Sequence, residues 1–287
     1  MKTKNIFITG IPRSGTTLVT ATIHQVPNCV AISEPPDLKP VLKNSATTDE
    51  YADGVNRYIQ QLREKIRNGE PVLNSFDRET GRLNTNRFRR VHSAAGHMAM
   101  EKTFEVRECV MPVESEDFLL AVKNNAQFTA ALASLVKLED VQIIAVIRHP
   151  IACLLSWRSL EIPVSRGRLP AGEHFSKQLR RLKKADDLLY RQVCILDWFL
   201  EMFYRHRERI TIIAYERFVE KPEMLRQVID VPDDYSFPQY RSMNQRKEYN
   251  FEEAELIRAY LKKYSRFVRF FCDEFADDTV LNFRKRK

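Results

Sequence analysis

The segment Ile6-Phe-Ile-Thr-Gly10-Ile-Pro-Arg13-Ser-Gly15-Thr16-Thr17-Leu18 constrains this chain more than any other. A short apolar run enters a turn bracketed by two glycines and leaves into a helix-forming stretch. In that stretch Leu18, Val19, Thr22, Ile23 and Val26 share one face. The backbone N–H groups of such a turn, and the N-terminus of the helix behind it, point at one place, which is the geometry for holding an anion. A strand that ends this way is the first unit of an alternating βα chain, whose other strands are buried parallel partners.

Four further runs complete that pattern. After Asn5 to Thr9 come Cys29 to Ser33, Phe118 to Lys123, Val141 to Arg148 and Ile210 to Tyr215. They are near-continuously apolar rather than alternating, as expected for strands covered on both faces. Helices are predicted from Ser14 to about Val26, from Phe128 to about Val136, and after Pro150, a residue suited to a first helical position. Glu173 to Arg209 is free of Pro and Gly and amphipathic, and predicts one or two packed helices. A last helix is expected from Phe251 to about Phe275, before the basic tail Arg284 to Lys287. The fold class is therefore α/β, a parallel sheet flanked by helices.

Asp37 to Phe118 does not fit this alternation. It carries turn-forming Pro35-Pro36-Asp37, Asn68-Gly69 and Thr80-Gly81 and few long periodic segments. It reads as an insertion of about residues 37–117 between the second and third strands, where loops commonly build a substrate wall. One domain with such an insertion accounts for 287 residues better than two independent domains do.

Composition narrows the setting. Hydrophobic residues at 44% and charged residues at 29% exclude a mainly disordered or fibrous chain. No apolar run approaches the ~18 residues that span a bilayer, and no secretory signal is visible. The five cysteines lack CxxC or metal-site spacing, which fits free thiols, no bound metal and a cytoplasmic location. The net charge of +8 points to an anionic partner without choosing among nucleotide, acidic substrate, nucleic acid and membrane.

The glycine turn nearly matches the phosphate-loop pattern GxxxxGK followed by Ser or Thr, with Thr17 at the final position. Its departures are informative. Thr16 replaces the lysine that would reach β- and γ-phosphates, and the cation comes earlier, as Arg13. The strand Ile143 to Ile147 ends in Arg148, not in the Asp that would hold Mg²⁺ in a nucleoside triphosphatase. The loop is built for a shorter anion.

With these departures the sequence resembles the sulfotransferases that use 3'-phosphoadenosine 5'-phosphosulfate (PAPS). Gly10-Ile-Pro-Arg-Ser-Gly-Thr-Thr17 is similar to the family's 5'-phosphosulfate loop, in the form found in tyrosylprotein sulfotransferases and many bacterial relatives. Arg148-His-Pro-Ile-Ala-Cys-Leu-Leu-Ser156 resembles its 3'-phosphate motif. Lys123 to Thr129 resembles the lysine-bearing strand end, without its usual proline. Ile212 to Pro222 resembles the family's YEDL segment, with Arg217 where an acidic residue is usual. The resemblance covers residues 5 to 34 and about 118 to 222; it does not reach the insertion, and no glycine-rich RKG element is found near the C-terminus.

The resemblance implies a P-loop NTPase-like sulfotransferase fold and sulfuryl transfer from PAPS to a hydroxyl, in line and without metal, leaving 3',5'-ADP. Gly10, Pro12, Arg13, Ser14, Gly15, Thr16 and Thr17 would hold the 5' end, and Arg148 and Ser156 the 3'-phosphate. A helix rises ~9 Å between Pro150 and Ser156, which puts the serine on its second turn. Arginine suits the role because its planar fork binds phosphate bidentately. Arg13 and Lys123 would stabilise developing charge. Tyr215 is either an adenine contact or a buried core residue. Glu34 is the favoured base, because it ends the second strand where tyrosylprotein-type relatives carry a glutamate; a carboxylate beside Arg13 is held down by charge and pushed up by burial. A histidine, His97 or His92, is the alternative base, and His149 reads as structural. The acceptor is a hydroxyl on a glycan, lipid, peptide or small molecule.

Two other functions compete. A P-loop kinase or NTPase predicts Mg²⁺-dependent ATP turnover, against which Thr16 speaks. A basic nucleic-acid-binding module is suggested by Arg82, Arg87, Arg89, Arg90 and the Arg284 to Lys287 tail, but no reading motif accompanies these charges, and nucleic acid is not the expected partner. The same arginines could grip an anionic acceptor.

Overall fold

The apolar runs pair side by side in a computed structural model of the chain. It describes residues 4–92, 98–244 and 250–272, with the backbone alone at 89–92 and 98–100. The chain opens with β1 (Asn5–Gly10), α1 (Thr16–His24) and β2 (Cys29–Ser33). Then come α2 (Leu38–Asn44), α3 (Thr48–Arg67), β3 (Val72–Asp77), β4 (Phe88–His92), β5 (Met98–Lys102) and β6 (Phe104–Cys109). The alternation resumes with β7 (Leu119–Lys123), α4 (Asn125–Ala130), α5 (Leu132–Leu135), β8 (Val141–Ile147) and α6 (Pro150–Arg158). It finishes with α7 (Pro170–Phe175), α8 (Lys177–Leu182), α9 (Leu188–Arg205), β9 (Thr211–Ala214), α10 (Tyr215–Glu220) and α11 (Phe251–Tyr264).

Strands β2-β7-β1-β8-β9 form one parallel sheet. Both faces are apolar, as the continuous runs require. Ile6, Ile8, Ala31, Ala121, Ile144, Val146 and Ile213 lie in the core on the α1 side. Phe7, Val30, Ile32, Leu120, Val122, Ile143 and Ala145 lie in the opposite core, with residues of α3, α6 and α9. Parallel pairing brings all five carboxyl ends to one edge. There β1 runs into the glycine turn, β2 into Glu34, β7 ends on Lys123, and β8 and β9 run into Arg148 and Tyr215.

The region of residues 37–117 is more regular than its turn-rich sequence implies. It contains α3, a 20-residue helix whose Tyr51, Ala52, Val55, Ile59, Leu62 and Ile66 are buried at three- and four-residue spacing. Thr47 caps it by accepting from the Glu50 N–H, and the Glu50 carboxylate accepts in return from the Ala46 N–H. The expectation of few periodic segments is therefore corrected; charged residues between the apolar positions, and Gly54 within them, obscured an apolar stripe of ordinary width. Strands β3 and β6 form an antiparallel ribbon and β4 and β5 a hairpin. The Asn74 amide fixes the ribbon to the sheet: its Nδ2 donates to the Ala31 carbonyl and its Oδ1 accepts from the Ser33 N–H, at 2.9 and 3.0 Å.

Two other boundaries differ. Glu173 to Arg209 holds α8 and α9 and the end of α7, not one or two helices. The breaks fall at Ser176 and Asp187, whose side chains accept from the N–H groups of Leu179 and Tyr190 and so start new helices. Helix α11 stops at Tyr264, because Asp197 captures the Ser265 hydroxyl and the N–H groups of Arg266 and Phe267. Phe275 and the basic tail lie outside the described residues. Among the described residues no helix is long and apolar enough to cross a membrane.

Candidate functional site

The glycine turn is held from below by β8. The Ile11 N–H and the Ser14 hydroxyl both donate to the Val146 carbonyl, at 3.2 and 2.8 Å, and the Ser14 N–H donates to the Ile11 carbonyl. Ser14 is fully buried and braces the loop. A Cβ at Gly10 would stand 2.5 Å from that same Val146 oxygen. Gly15 has φ +95° and lies against the Tyr215 ring, where a Cβ would meet Cδ2 at 2.5 Å. Helix α1 starts immediately after, with no acidic residue in its first turn. Its first N–H groups have no intrahelical acceptor, and the dipole favours an anion there. Thr16 is buried and Thr17 half-buried at this end.

Arg148 and Ser156 each reach the loop through Arg13. The Ser156 hydroxyl accepts from Arg13 Nε at 3.3 Å. Arg148 is buried and donates through Nε to Asn244 Oδ1 at 2.6 Å, through one terminal nitrogen to the Arg13 carbonyl at 2.9 Å, and through the other to the Met243 carbonyl at 2.8 Å. Its guanidinium lies 4.8 Å over the Tyr215 ring. Tyr215 is buried behind the loop, and its hydroxyl accepts from the Met243 N–H. Glu216 accepts from the His149 N–H and from Asn244 Nδ2. Trp157 of α6 donates its indole N–H to the Pro12 carbonyl at 2.6 Å. The two anion motifs are thus one hydrogen-bonded unit.

Glu34 and Lys123 meet because β2 and β7 are neighbours. Ser33 is in register with Lys123, and the Glu34 N–H donates to the Lys123 carbonyl at 2.8 Å. Lys123 Nζ, buried under the site, donates to Glu34 Oε1 at 2.6 Å and to Thr17 Oγ1 at 3.4 Å. The second carboxylate oxygen accepts from Arg87 of the insertion. Burial pushes the Glu34 pKa up, but the charges and hydrogen bonds of Lys123 and Arg87 outweigh it and hold the carboxyl below its usual range. Burial, opposed by Glu34 and helped by Arg87 and Arg13, moves Lys123 down. The neighbour of Arg87, Asn86, accepts from Arg13 through Oδ1 at 3.1 Å.

One edge therefore gathers a glycine loop, a helix N-terminus, the cations Arg13, Arg87, Lys123 and Arg148, and the carboxylates Glu34 and Glu216. A family model described as "Sulfotransferase family" matches residues 5–233. The chain belongs to the sulfotransferase family. The sulfotransferase STF1 of Mycobacterium tuberculosis H37Rv is similar in structure at 12% identity, with a TM-score of 0.40, over 92% of this chain and 77% of that one. STF9 of Mycobacterium avium is similar at 14% identity and a TM-score of 0.36, over 93% and 69%. No curated protein matches the sequence.

Within this sulfotransferase, Glu34 contacts Lys123 and Arg87, whereas the sequence suggested Arg13 as its neighbour. Asn86, Asn244 and the role of Glu216 escaped sequence reading, since a lone amide or carboxylate in a loop carries no motif. Arg87 was visible only as one of several basic residues. His149 is buried at the start of α6. His97 and the side chain of His92 lie outside the described residues, as do the side chains of Arg89 and Arg90.

Proposed function

We propose that this sulfotransferase takes PAPS as donor and a hydroxyl compound as acceptor. The observation that carries the reading is the union of two anion receptors with a carboxylate at one sheet edge. The glycine loop and α1 suit the 5'-phosphosulfate, Arg148 and Ser156 the 3'-phosphate, and Glu34 stands beside the loop on Lys123. Tyr215, buried, backs the loop.

Glu34 accepts the proton of the acceptor hydroxyl as its oxygen attacks sulfur; the S–O bond to the 5'-phosphate breaks in line, giving the sulfate ester and 3',5'-ADP. Arg13, Lys123, Thr17 and the α1 N–H groups stabilise negative charge on the sulfonate and leaving phosphate. A single domain in which residues 37–117 form the acceptor wall fits this arrangement. Cys29, Cys109, Cys153 and Cys194 are free thiols, which suits a cytoplasmic enzyme.

Binding of 3',5'-ADP in the micromolar range by calorimetry, together with transfer of label from PAPS to one member of a panel of glycan, lipid, peptide and small hydroxyl acceptors, is the expected result. Tight binding of ATP with Mg²⁺ and none of 3',5'-ADP would sink the reading in favour of a kinase or NTPase.

A further inference from the structure

We infer that Arg87, carried by the insertion and not by the sheet, is a positioning residue that fixes the Glu34 carboxylate, and that with Asn86 it ties the acceptor wall to the donor loop. The inference rests on the sulfotransferase reading, because it is as the base of that reaction that Glu34 needs a fixed direction and charge.

Glu34 leaves β2 with φ +51°, a conformation uncommon for a residue with a side chain. Strand geometry therefore does not set the direction of its carboxylate; its partners do. Lys123 holds only Oε1, and an ammonium on a flexible stem leaves the carboxylate free to turn. Arg87 takes Oε2 and removes that freedom. A carboxylate offers about four lone-pair sites, so two bonds still leave room for an acceptor hydroxyl.

Arg87 is itself held. Its guanidinium lies 3.7 Å over the Phe104 ring, and its carbonyl accepts from the Thr103 N–H at 3.2 Å. The Thr103 hydroxyl donates to the Asn86 carbonyl at 2.8 Å, and Asn86 Oδ1 meets Arg13. The Arg87 side chain is only 13% exposed and that of Glu34 36%, so the pair is partly shielded from solvent. One dipeptide of the insertion thus contacts both the loop cation and the carboxylate.

The charged groups facing Glu34 are Lys123 from the end of β7 and Arg87 from before β4; Arg13 of the donor loop faces Lys123. A donor anion arriving in the loop favours protonation of the carboxylate, and a second cation opposes it. Arg87 keeps Glu34 ionised through that step.

The test follows the Glu34 carboxyl itself, in full-length protein carrying ¹³C at glutamate carboxyls, with the resonance assigned by its loss in Glu34→Gln. Arg87→Gln is expected to raise the Glu34 midpoint by ~1 pH unit, to move the acid limb of kcat up with it once an acceptor is found, and to leave 3',5'-ADP affinity within a few-fold. Should Arg87→Gln fail to fold, Arg87→Met, which keeps an apolar stem over Phe104, carries the comparison. An unmoved midpoint in a folded, ADP-binding variant overturns the proposal. Failure of the wild-type protein to bind 3',5'-ADP is a separate observable and counts against the donor reading.

Discussion

Arg148 donates to the backbone carbonyl of Arg13 across 2.9 Å, and so the cation ending β8 shapes the loop ending β1. Arg13 needs the support, since its φ of +71° lies in the left-handed region, which a residue with a side chain adopts at a cost of about 1–3 kcal/mol. A single guanidinium reaches Asn244, Arg13 and Met243 together because its donors spread in a plane.

Arg148→Lys is therefore expected to damage both ends of the proposed nucleotide site. An ammonium cannot reach all three acceptors, and each lost bond to a charged group is worth ~1.5–3 kcal/mol. Affinity for 3',5'-ADP should fall at least ~10-fold, and thermal stability should fall with it. Calorimetry and a melting curve check this; lost affinity with an unchanged melting temperature would show that Arg148 serves the ligand and not the loop.

Gly15→Ala meets two obstacles. The backbone is at φ +95°, and the new methyl would stand 2.5 Å from Tyr215 Cδ2. The expected destabilisation is ~1–3 kcal/mol. Tyr215→Ser is itself destabilising, because it removes a buried ring and the acceptor of the Met243 N–H. In a double-mutant cycle the double variant should be less destabilised than the sum of the two single variants, by the steric part and not the backbone part.

The sheet was legible in the sequence because parallel strands buried on both faces are written as continuous apolar runs, and all five were found within about a residue. The loop and Arg148 were legible for a different reason: each sits at the carboxyl end of a strand, and parallel pairing brings those ends to one edge. Helix α3 was obscured because its apolar stripe is interleaved with charge, although Val55, Ile59, Leu62 and Ile66 keep helical spacing. Arg87 could not be assigned from sequence. Its pairing with Glu34 depends on the ribbon that Asn74 docks on β2, a long-range contact with no local signature.

Glu34→Gln tests catalysis and the ion pair at once. Turnover should fall ~10²-fold or more, with 3',5'-ADP affinity kept within a few-fold. The substitution also leaves Lys123 buried without its countercharge, so stability should fall, and Lys123→Met in the same chain should restore part of it. A coupling of about 1–2 kcal/mol is expected from the double-mutant cycle, kept modest because the Glu34 side chain is 36% exposed. Additive single effects would show that the two side chains do not hold each other.

The pH dependence of that stability follows from the sign of the shift. Folding lowers the Glu34 pKa from its ordinary 4.5, with Lys123 and Arg87 outweighing burial, so the unfolded chain binds the proton more readily than the folded one does. The contribution of Glu34 is then fully present above about pH 4.5 and drains away as pH falls through the lowered folded value. Denaturant titrations of the wild type and Glu34→Gln should run at a constant separation from neutral pH down to about pH 5 and converge at lower pH. A separation that instead changed in favour of the wild type as pH fell from above about 6 would mean that burial outweighs the two cations and that Glu34 is a stronger base than the ion pairs imply.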